Sequence, residues 1–430
     1  MNSSTEAPSF RAALRFWLLL GCISFGGPAG QIAVMHDELV ERRRWVSEAT
    51  FLRALDVCML LPGPEAMQLA TWLGWRLHGI RGGVAAGALF VLPAALLLGL
   101  LSWLYVRFGQ MPLAGGVLLG LQAAVLGIVL HAVHRIGSRV LRTPLAVVLA
   151  AAALAGVAAS LPFPLIVAVA AALGWLAARW KPAWLPPAGG HAPGTGAGTE
   201  AAPATRTASW QATLRIAGVL LAAWWLPLLL VAAWLGAGST AFAMGLFFSK
   251  AALVTFGGAY AVLPYVAQQA VDVHGWLDAG QMMAGLGLAE TTPGPLILVL
   301  EFVGFVGGWQ HPDLGSPLAS AVLGASVTLW ATFLPSFLFV LAGAPWFERI
   351  GAMPRVAAAL SAVTAAVVGV IAHLALWFGA ALLGGATPLR QGFVVLVAAV
   401  AWYGLARRRW PVALVVLAAA AAGVLVQAVG

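Results

Sequence analysis

Charge is scarce in this sequence. Of 430 residues only 23 are Lys or Arg and 14 are Asp or Glu, 9% in all, where a soluble globular domain carries roughly a quarter. With 62% apolar residues and a mean hydropathy of +0.94, the chain lacks the polar surface to face water on every side, which excludes a soluble protein. Lysine is almost missing, Lys181 and Lys250 being the only two. The net charge of +9 comes from arginines set between apolar runs, not from a long basic stretch, so no nucleic-acid-binding face is formed. Two cysteines, Cys22 and Cys58, both in apolar segments, exclude a disulfide framework and a structural zinc site. Enzyme signatures are missing as well: there is no HExxH and no GxGD pair, and without a GxxxxGK[ST] loop the chain has no ATP drive of its own. Arg11 and Arg15 precede an apolar run as in a signal peptide, but Gly26-Gly27-Pro28 offers no small-x-small cleavage pattern, so the N-terminus reads as retained.

Apolar segments fill the chain instead, near 11–35, 49–76, 82–107, 112–134, 144–159, 162–180, 211–235, 241–270, 280–309, 316–343, 355–380, 391–406 and 411–428. A bilayer core of about 30 Å takes about 20 helical residues, so these thirteen predict transmembrane or half-membrane helices. Between Pro182 and Ser209 the sequence turns to Pro, Gly, Ala and Thr, the composition of a flexible linker. The organisation predicted is an N-terminal half over 8–181, a linker over 182–210, a connecting span over 211–235 and a C-terminal half over 240–430.

The halves repeat one another. A shift of 231 places Phe25-Gly26-Gly27 on Phe256-Gly257-Gly258, Trp45 on Trp276, Leu55 on Leu286 and Pro62-Gly63-Pro64 on Pro293-Gly294-Pro295. After an insertion of 11 residues, around Trp309 to Leu318, the shift is 242; Leu92-Pro93 then meets Leu334-Pro335, Met111-Pro112 meets Met353-Pro354 and His131 meets His373. Constant register across Trp, PGP, MP and His marks a duplication. Six spans per half with one span between them invert the second half relative to the first, so the fold class predicted is an all-α polytopic membrane protein with two homologous, inverted halves. Positive-inside counting places the N-terminus in the cytoplasm: Arg135, Arg139, Arg142, Arg179 and Arg407 to Arg409 fall in inner loops, against Arg42 to Arg44, Arg53, Arg107 and Arg390 outside.

Pro-Gly-Pro at mid-span breaks a helix, since proline removes a donor and glycine leaves the backbone unrestricted. Such breaks survive in a membrane only under protein or beside a water-filled cavity. Each break creates a half-helix N-terminus whose N–H groups attract anions. Two inverted copies would aim them at one midplane site, formed by Phe25, Gly26, Gly27, Pro62, Gly63, Pro64, Phe256, Gly257, Gly258, Pro293, Gly294 and Pro295; a kink that serves helix packing is the plainer reading. Lys250, six residues before Phe256, either faces the anion or snorkels at a span end. Glu65 directly follows the first PGP and Glu290 lies three residues before the second; each either carries a proton or caps a freed N–H. Asp56 and Glu301 have the same two readings. His131 and His373 titrate near neutrality and are candidates for proton coupling, with a structural role as the alternative.

On Phe25-Gly26-Gly27-Pro28, the stretch from Trp45 to Phe51, Leu60-Leu61-Pro62-Gly63-Pro64, Phe256-Gly257-Gly258 and Thr292-Pro293-Gly294-Pro295, the sequence resembles the chromate ion transporter family in its long, two-half form. The resemblance implies a multi-pass inner-membrane protein that exports chromate and confers resistance to it, with sulfate as a competing oxyanion. It implies no cofactor, no metal and no partner beyond the lipid bilayer, with a homodimer among the assemblies open to it. The second half departs from the pattern with Ala259 in place of Pro28. A sulfate importer of the same fold, a channel and a membrane-embedded enzyme are the alternatives.

Overall fold

The computed structural model describes residues 8–25, 27–180, 210–256, 258–351 and 353–429, among which there is no strand. The N-terminal half runs α1 (Phe10–Ile23), α2 (Gly27–His36) extended by a π-helical turn (Asp37–Arg42), α3 (Glu48–Leu60), α4 (Glu65–Phe108), α5 (Pro112–Val140), α6 (Pro144–Ala158) and α7 (Phe163–Trp180). Next comes α8 (Trp210–Leu235), the expected connecting span. The C-terminal half runs α9 (Thr240–Val254), α10 (Ala259–Ala267) with its π-helical turn (Gln268–Val273), α11 (Ala279–Thr291), a 3-10 turn (Leu296–Leu298) leading into α12 (Val299–Gln310), α13 (Pro317–Gly351), α14 (Pro354–Leu383), α15 (Pro388–Arg407) and α16 (Val412–Val429). The expected linker lies outside the described residues.

The duplication reaches the backbone. Both π-helical turns fall 231 residues apart, each closed by a pair of bonds at that same shift: Arg43 N–H to Glu38 O and Trp45 N–H to Leu39 O in one half, His274 N–H to Gln269 O and Trp276 N–H to Ala270 O in the other. Ser47 caps α3 where Asp278 caps α11, and proline at the first turn opens α5 and α14 after Met111 and Met353. Arg42 and Arg43 pair with Asp37 and Glu38 at 2.9 to 3.0 Å. Two of the arginines that oppose the positive-inside count, Arg42 and Arg43, are thus paired within their own turn.

The expected transmembrane and half-membrane helices divide by length. Among the described residues six helices are long and apolar enough to cross a membrane, within Glu65–Phe108, Ala114–Val140, Trp210–Leu235, Pro317–Gly343, Pro354–Leu383 and Pro388–Arg407, and five apolar helices are shorter. The segments 11–35, 49–76, 241–270 and 280–309 are each two short helices. At 14 residues, α1 is only about 21 Å long. Hydropathy could not separate these pieces because both arms of each are apolar. α4 is itself a hairpin: His78 and Gly79 leave helical backbone, Gly79 with φ +67°, and the chain folds back so that Gly74 lies against Gly82 and Ala86, and Gly87 against Thr71. In the second half the same hairpin is α12 and α13, with Gly304 against Gly324 and Thr328, and the 11-residue insertion sits in its turn. Stripes of small residues let both pairs of arms approach closely.

The halves are interlocked, not side by side. The helices that follow α5, namely α6 and α7, pack on α14, and the helices that follow α14, namely α15 and α16, pack on α5; α5 and α14 also meet each other. Repeat-equivalent glycines make close approaches, Gly127 of α5 against the backbone carbonyl of Ala398 in α15, and Gly369 of α14 against that of Ala150 in α6. A side chain at either must push a helix backbone away, at about 1–3 kcal/mol or more. Gly127→Leu and Gly369→Leu are each expected to lower the melting temperature of the detergent-solubilised protein by several degrees; the check is thermal unfolding followed by tryptophan fluorescence.

Candidate functional site

Four helices break where the repeated motifs stand. α1 and α9 end identically, at Ser24 and Thr255, each with φ −81° and ψ 81°, and each hydroxyl donates back to the last turn at 2.6 Å, to Leu20 O and Ala251 O. Both residues are buried, so their carbonyls require partners from within the protein. The backbone partners come from the opposite half: Gly63 N–H donates to Thr255 O and Gly294 N–H to Ser24 O, both at 2.8 Å, and Gln31 Nε2 adds a longer bond to Ser24 O at 3.5 Å. Each PGP is therefore tied to the other half's FGG, and the reciprocity is that of a pseudo-two-fold axis between the halves.

Only glycine suits these two positions. Gly63 has φ +122° and Gly294 φ +98°, conformations costly for any residue with a Cβ. A Cβ on Gly63 would also meet Ser336 Oγ at 2.5 Å and Gln68 Nε2 at 2.7 Å, and one on Gly294 would strike Ala94. The flanking prolines Pro62, Pro64, Pro293 and Pro295 are buried and bring no N–H that would need a partner there.

The bonds draw together the N-terminal ends of α2, α4, α10 and the 3-10 turn at Leu296. No side chain caps α4, α10 or that turn, so their first N–H groups have no capping side-chain partner. Two fully buried glutamines support the same region. Gln31 Nε2 donates to Gly294 O, and Gln68 Nε2 donates to Pro62 O at 2.7 Å. Their repeat equivalents are Val262 and Val299, so the symmetry of the backbone is not kept by the side chains.

A cavity of ≈ 50 Å³ opens beside the breaks, lined by Gly27, Pro28, His131, Arg135, Tyr260 and Glu290 together with Ile128, Ala132, Leu405 and Val412. Within it Tyr260 Oη donates to Glu290 Oε1. Glu65 lies beside the start of α10, its Oε1 3.8 Å from where a Cβ on Gly258 would stand. A second cavity of ≈ 120 Å³ is lined by Val157, Ala158, Ser160, Pro264, Ala267, Gln268, Asp272, His373, Leu374 and Trp377.

The structure thus brings Gly27, Glu290 and His131 to one cavity, sets Gly258 and Glu65 beside each other, and buries both PGP motifs; His373 lines the second cavity. Phe25 is exposed and Phe256 half-buried, while Gly26 and Gly257 lie outside the described residues. Gly63 and Gly294 use their own N–H groups to join the halves, which corrects the expectation that those N–H groups are free. Lys250 is exposed, lines neither cavity and has no hydrogen bond or ion pair among the described residues, as a snorkelling lysine does. Glu301 is buried in α12 with Oε2 unpartnered, near Gly99 of α4. Sequence reasoning missed Gln31, Gln68 and Tyr260, and it counted Arg135 only as a topology signal. The cysteine count also gave no hint of a surface cluster in which His36, Glu41 and Glu48 bring ligand-type atoms within 4.8 Å of one another; the His36–Glu48 contact of 2.5 Å ties α2 to α3.

The family model described as Chromate transporter matches residues 11–175 and 242–424, so both halves carry it. The chain belongs to the chromate transporter family. Among similar proteins, a chromate transport protein of Pseudomonas aeruginosa is 34% identical over 99% of this chain and 95% of its own. One of Cupriavidus metallidurans is 31% identical over 86% and 83%, and a probable chromate transport protein of Synechococcus elongatus is 28% identical over 97% and 96%. No solved structure matches. Membership of a chromate transporter family, with six long apolar helices, makes the chain a multi-pass membrane transporter and not an enzyme.

Within this chromate transporter fold, losing the Gln31 amide would leave the buried Gly294 carbonyl without its donor, a cost of about 1–3 kcal/mol. Gln31→Leu is expected to lower thermal stability by that amount, whereas Val262→Leu at the equivalent position is expected to have a smaller effect; parallel melting curves in detergent check both.

Proposed function

We propose that the chain exports chromate across the cell inner membrane as a secondary transporter, binding the dianion near the bilayer midplane at the paired helix breaks. The observation that carries this reading is the reciprocal pair of bonds, Gly63 to Thr255 and Gly294 to Ser24, which gathers four helix N-termini at the junction of two inverted halves. Uncapped N–H groups and aligned helix dipoles stabilise an anion there with few cations nearby. This fits a chain with so little basic charge inside its spans. The anion would meet the N–H groups of the residues that follow each PGP, since those of Gly63 and Gly294 are occupied. Glu65, at the N-terminus of α4, and Glu290, at the C-terminal end of α11, would be displaced or protonated as the anion arrives, and His131 and His373 would carry a coupled proton. Family membership and the names of the similar proteins support chromate as cargo, and sulfate, a tetrahedral dianion too, is the expected competitor.

Alternating access follows from the interlocked packing: α5 with α15 and α16, and α14 with α6 and α7, form two units that would rock about the fixed pair of bonds. With the cytoplasm negative, moving a dianion outward is favoured by about 4.6 kcal/mol per 100 mV, at about 2.3 per charge. A coupling ion is therefore allowed but not required.

Chromate uptake into inside-out membrane vesicles tests the reading. Saturable uptake, inhibited by sulfate and driven by the membrane potential, is the expected result; a flux that does not saturate would indicate a channel. Gly63→Val and Gly294→Val are each expected to reduce uptake by at least tenfold while the protein is still found in the membrane. Wild-type flux in both variants would rule out the breaks as the transport site.

A further inference from the structure

The pseudo-two-fold that relates the halves does not relate their two cavities chemically. His131 and His373 are repeat equivalents and each lines one cavity. One helical turn further on, Arg135 lines the first cavity while its equivalent, Trp377, lines the second. The remaining ionisable groups diverge too. The first cavity holds Tyr260 bonded to Glu290, whose equivalents are Ala29 and Met59; the second holds Asp272.

The rims diverge in the same sense. Leu405 and Val412, which line the first cavity, bracket the connection between α15 and α16, where Arg407, Arg408 and Arg409 are all exposed. The corresponding rim of the second cavity is the connection between α6 and α7, from Ala158 to Phe163, which carries no charged residue. Arg135 itself is half-buried, and no ion pair or side-chain hydrogen bond engages its guanidinium among the described residues. Nδ1 of His131 is buried without a partner. A planar, permanently charged fork left unpaired inside a cavity, behind three exposed arginines, is arranged to receive an oxyanion.

We propose that this cavity is the loading site at which a tetrahedral dianion is taken from the cytoplasm, with Arg135 as its direct ligand, Arg407 to Arg409 as the steering rim, and the Glu290–Tyr260 pair as the internal group it displaces. The assignment of this side to the cytoplasm rests on the export reading and on positive-inside counting, which places Arg135 and Arg407 to Arg409 on one side. Room is sufficient for a small ion, since ≈ 50 Å³ compares with about 10–15 Å³ for a single water on the same measure. Gly27 and Pro28 in the lining connect the cavity directly to the first broken helix. Around Glu290 the charged or titratable lining groups are His131 and Arg135 from α5 and Tyr260 from α10; α2, α15 and α16 supply only Gly27, Pro28, Leu405 and Val412.

Two measurements on the full-length protein test the proposal, chromate uptake into inside-out vesicles and equilibrium binding of chromate to purified protein in detergent. Arg135→Gln is expected to raise both KM and Kd by about tenfold or more, the usual effect of losing a charge-assisted hydrogen bond, and Arg135→Lys by less. Arg139→Gln, exposed one turn beyond, is expected to leave both unchanged. Replacing Arg407, Arg408 and Arg409 together by Gln is expected to raise KM at low salt and to lose that effect at high salt, as steering does. Glu290→Gln removes a competing negative charge and is expected to tighten chromate binding severalfold. Unchanged KM and Kd in Arg135→Gln, or weaker binding in Glu290→Gln, would overturn the proposal. Arginine-dependent binding without uptake from the cytoplasmic face would keep the site and refute the export reading instead.

Discussion

A broken helix in a membrane has to find partners for its backbone within the protein. That constraint shapes the centre of this molecule. Two helices end at the buried residues Ser24 and Thr255, whose carbonyls no water can reach, and two others are interrupted at Gly63 and Gly294 with N–H groups in the same position. The backbone donor of each carbonyl comes from the other half: both Gly–carbonyl bonds cross from one repeat to the other. Each break thus takes a backbone partner from the other half. The exchange of the outer helix pairs, α6 and α7 onto α14 and α15 and α16 onto α5, repeats the same dependence at larger scale.

Symmetry in the backbone leaves the side chains free to differ, and they do. The glutamines that brace the breaks, Gln31 and Gln68, belong to the first half alone, with Val262 and Val299 opposite. The carboxylates are equally one-sided, Glu65 just after one PGP and Glu290 just before the other. A transporter assembled from strictly identical halves would offer the same surface to both sides of the membrane. Divergence at Arg135 and Trp377, and at Glu290 and Met59, gives the two halves different chemistry on one duplicated fold.

Much of this was legible in the sequence. Register held at a shift of 231 because the motifs that carry it, FGG, Trp and PGP, are backbone devices whose function depends on position and not on neighbours. The breaks were legible for the same reason, since proline and glycine act locally. Span count was less secure. An arm of 13 or 14 apolar residues beside another apolar arm has the hydropathy of a single span, whereas the turn at His78 and Gly79 falls in the gap between segments 49–76 and 82–107, where Arg76, His78 and Arg81 interrupt the apolar run. Lys250 drew notice because it is a rare charge in an apolar run, yet its helix turns it outward.

Composition alone determined that the chain lies in a membrane, and periodic motifs alone determined that it is duplicated and where its helices break, because burial of charge and loss of a backbone donor are penalties any environment must respect. Which break meets which was decided only by the tertiary structure. Gly63 and Thr255 are almost two hundred residues apart, and nothing in either motif names its partner; the pairing follows from the interlocking of the halves. The same packing set Arg135 of α5, Tyr260 of α10 and Glu290 of α11 around one cavity, a constellation with no signature along the chain because its members come from separate helices that only the fold brings together.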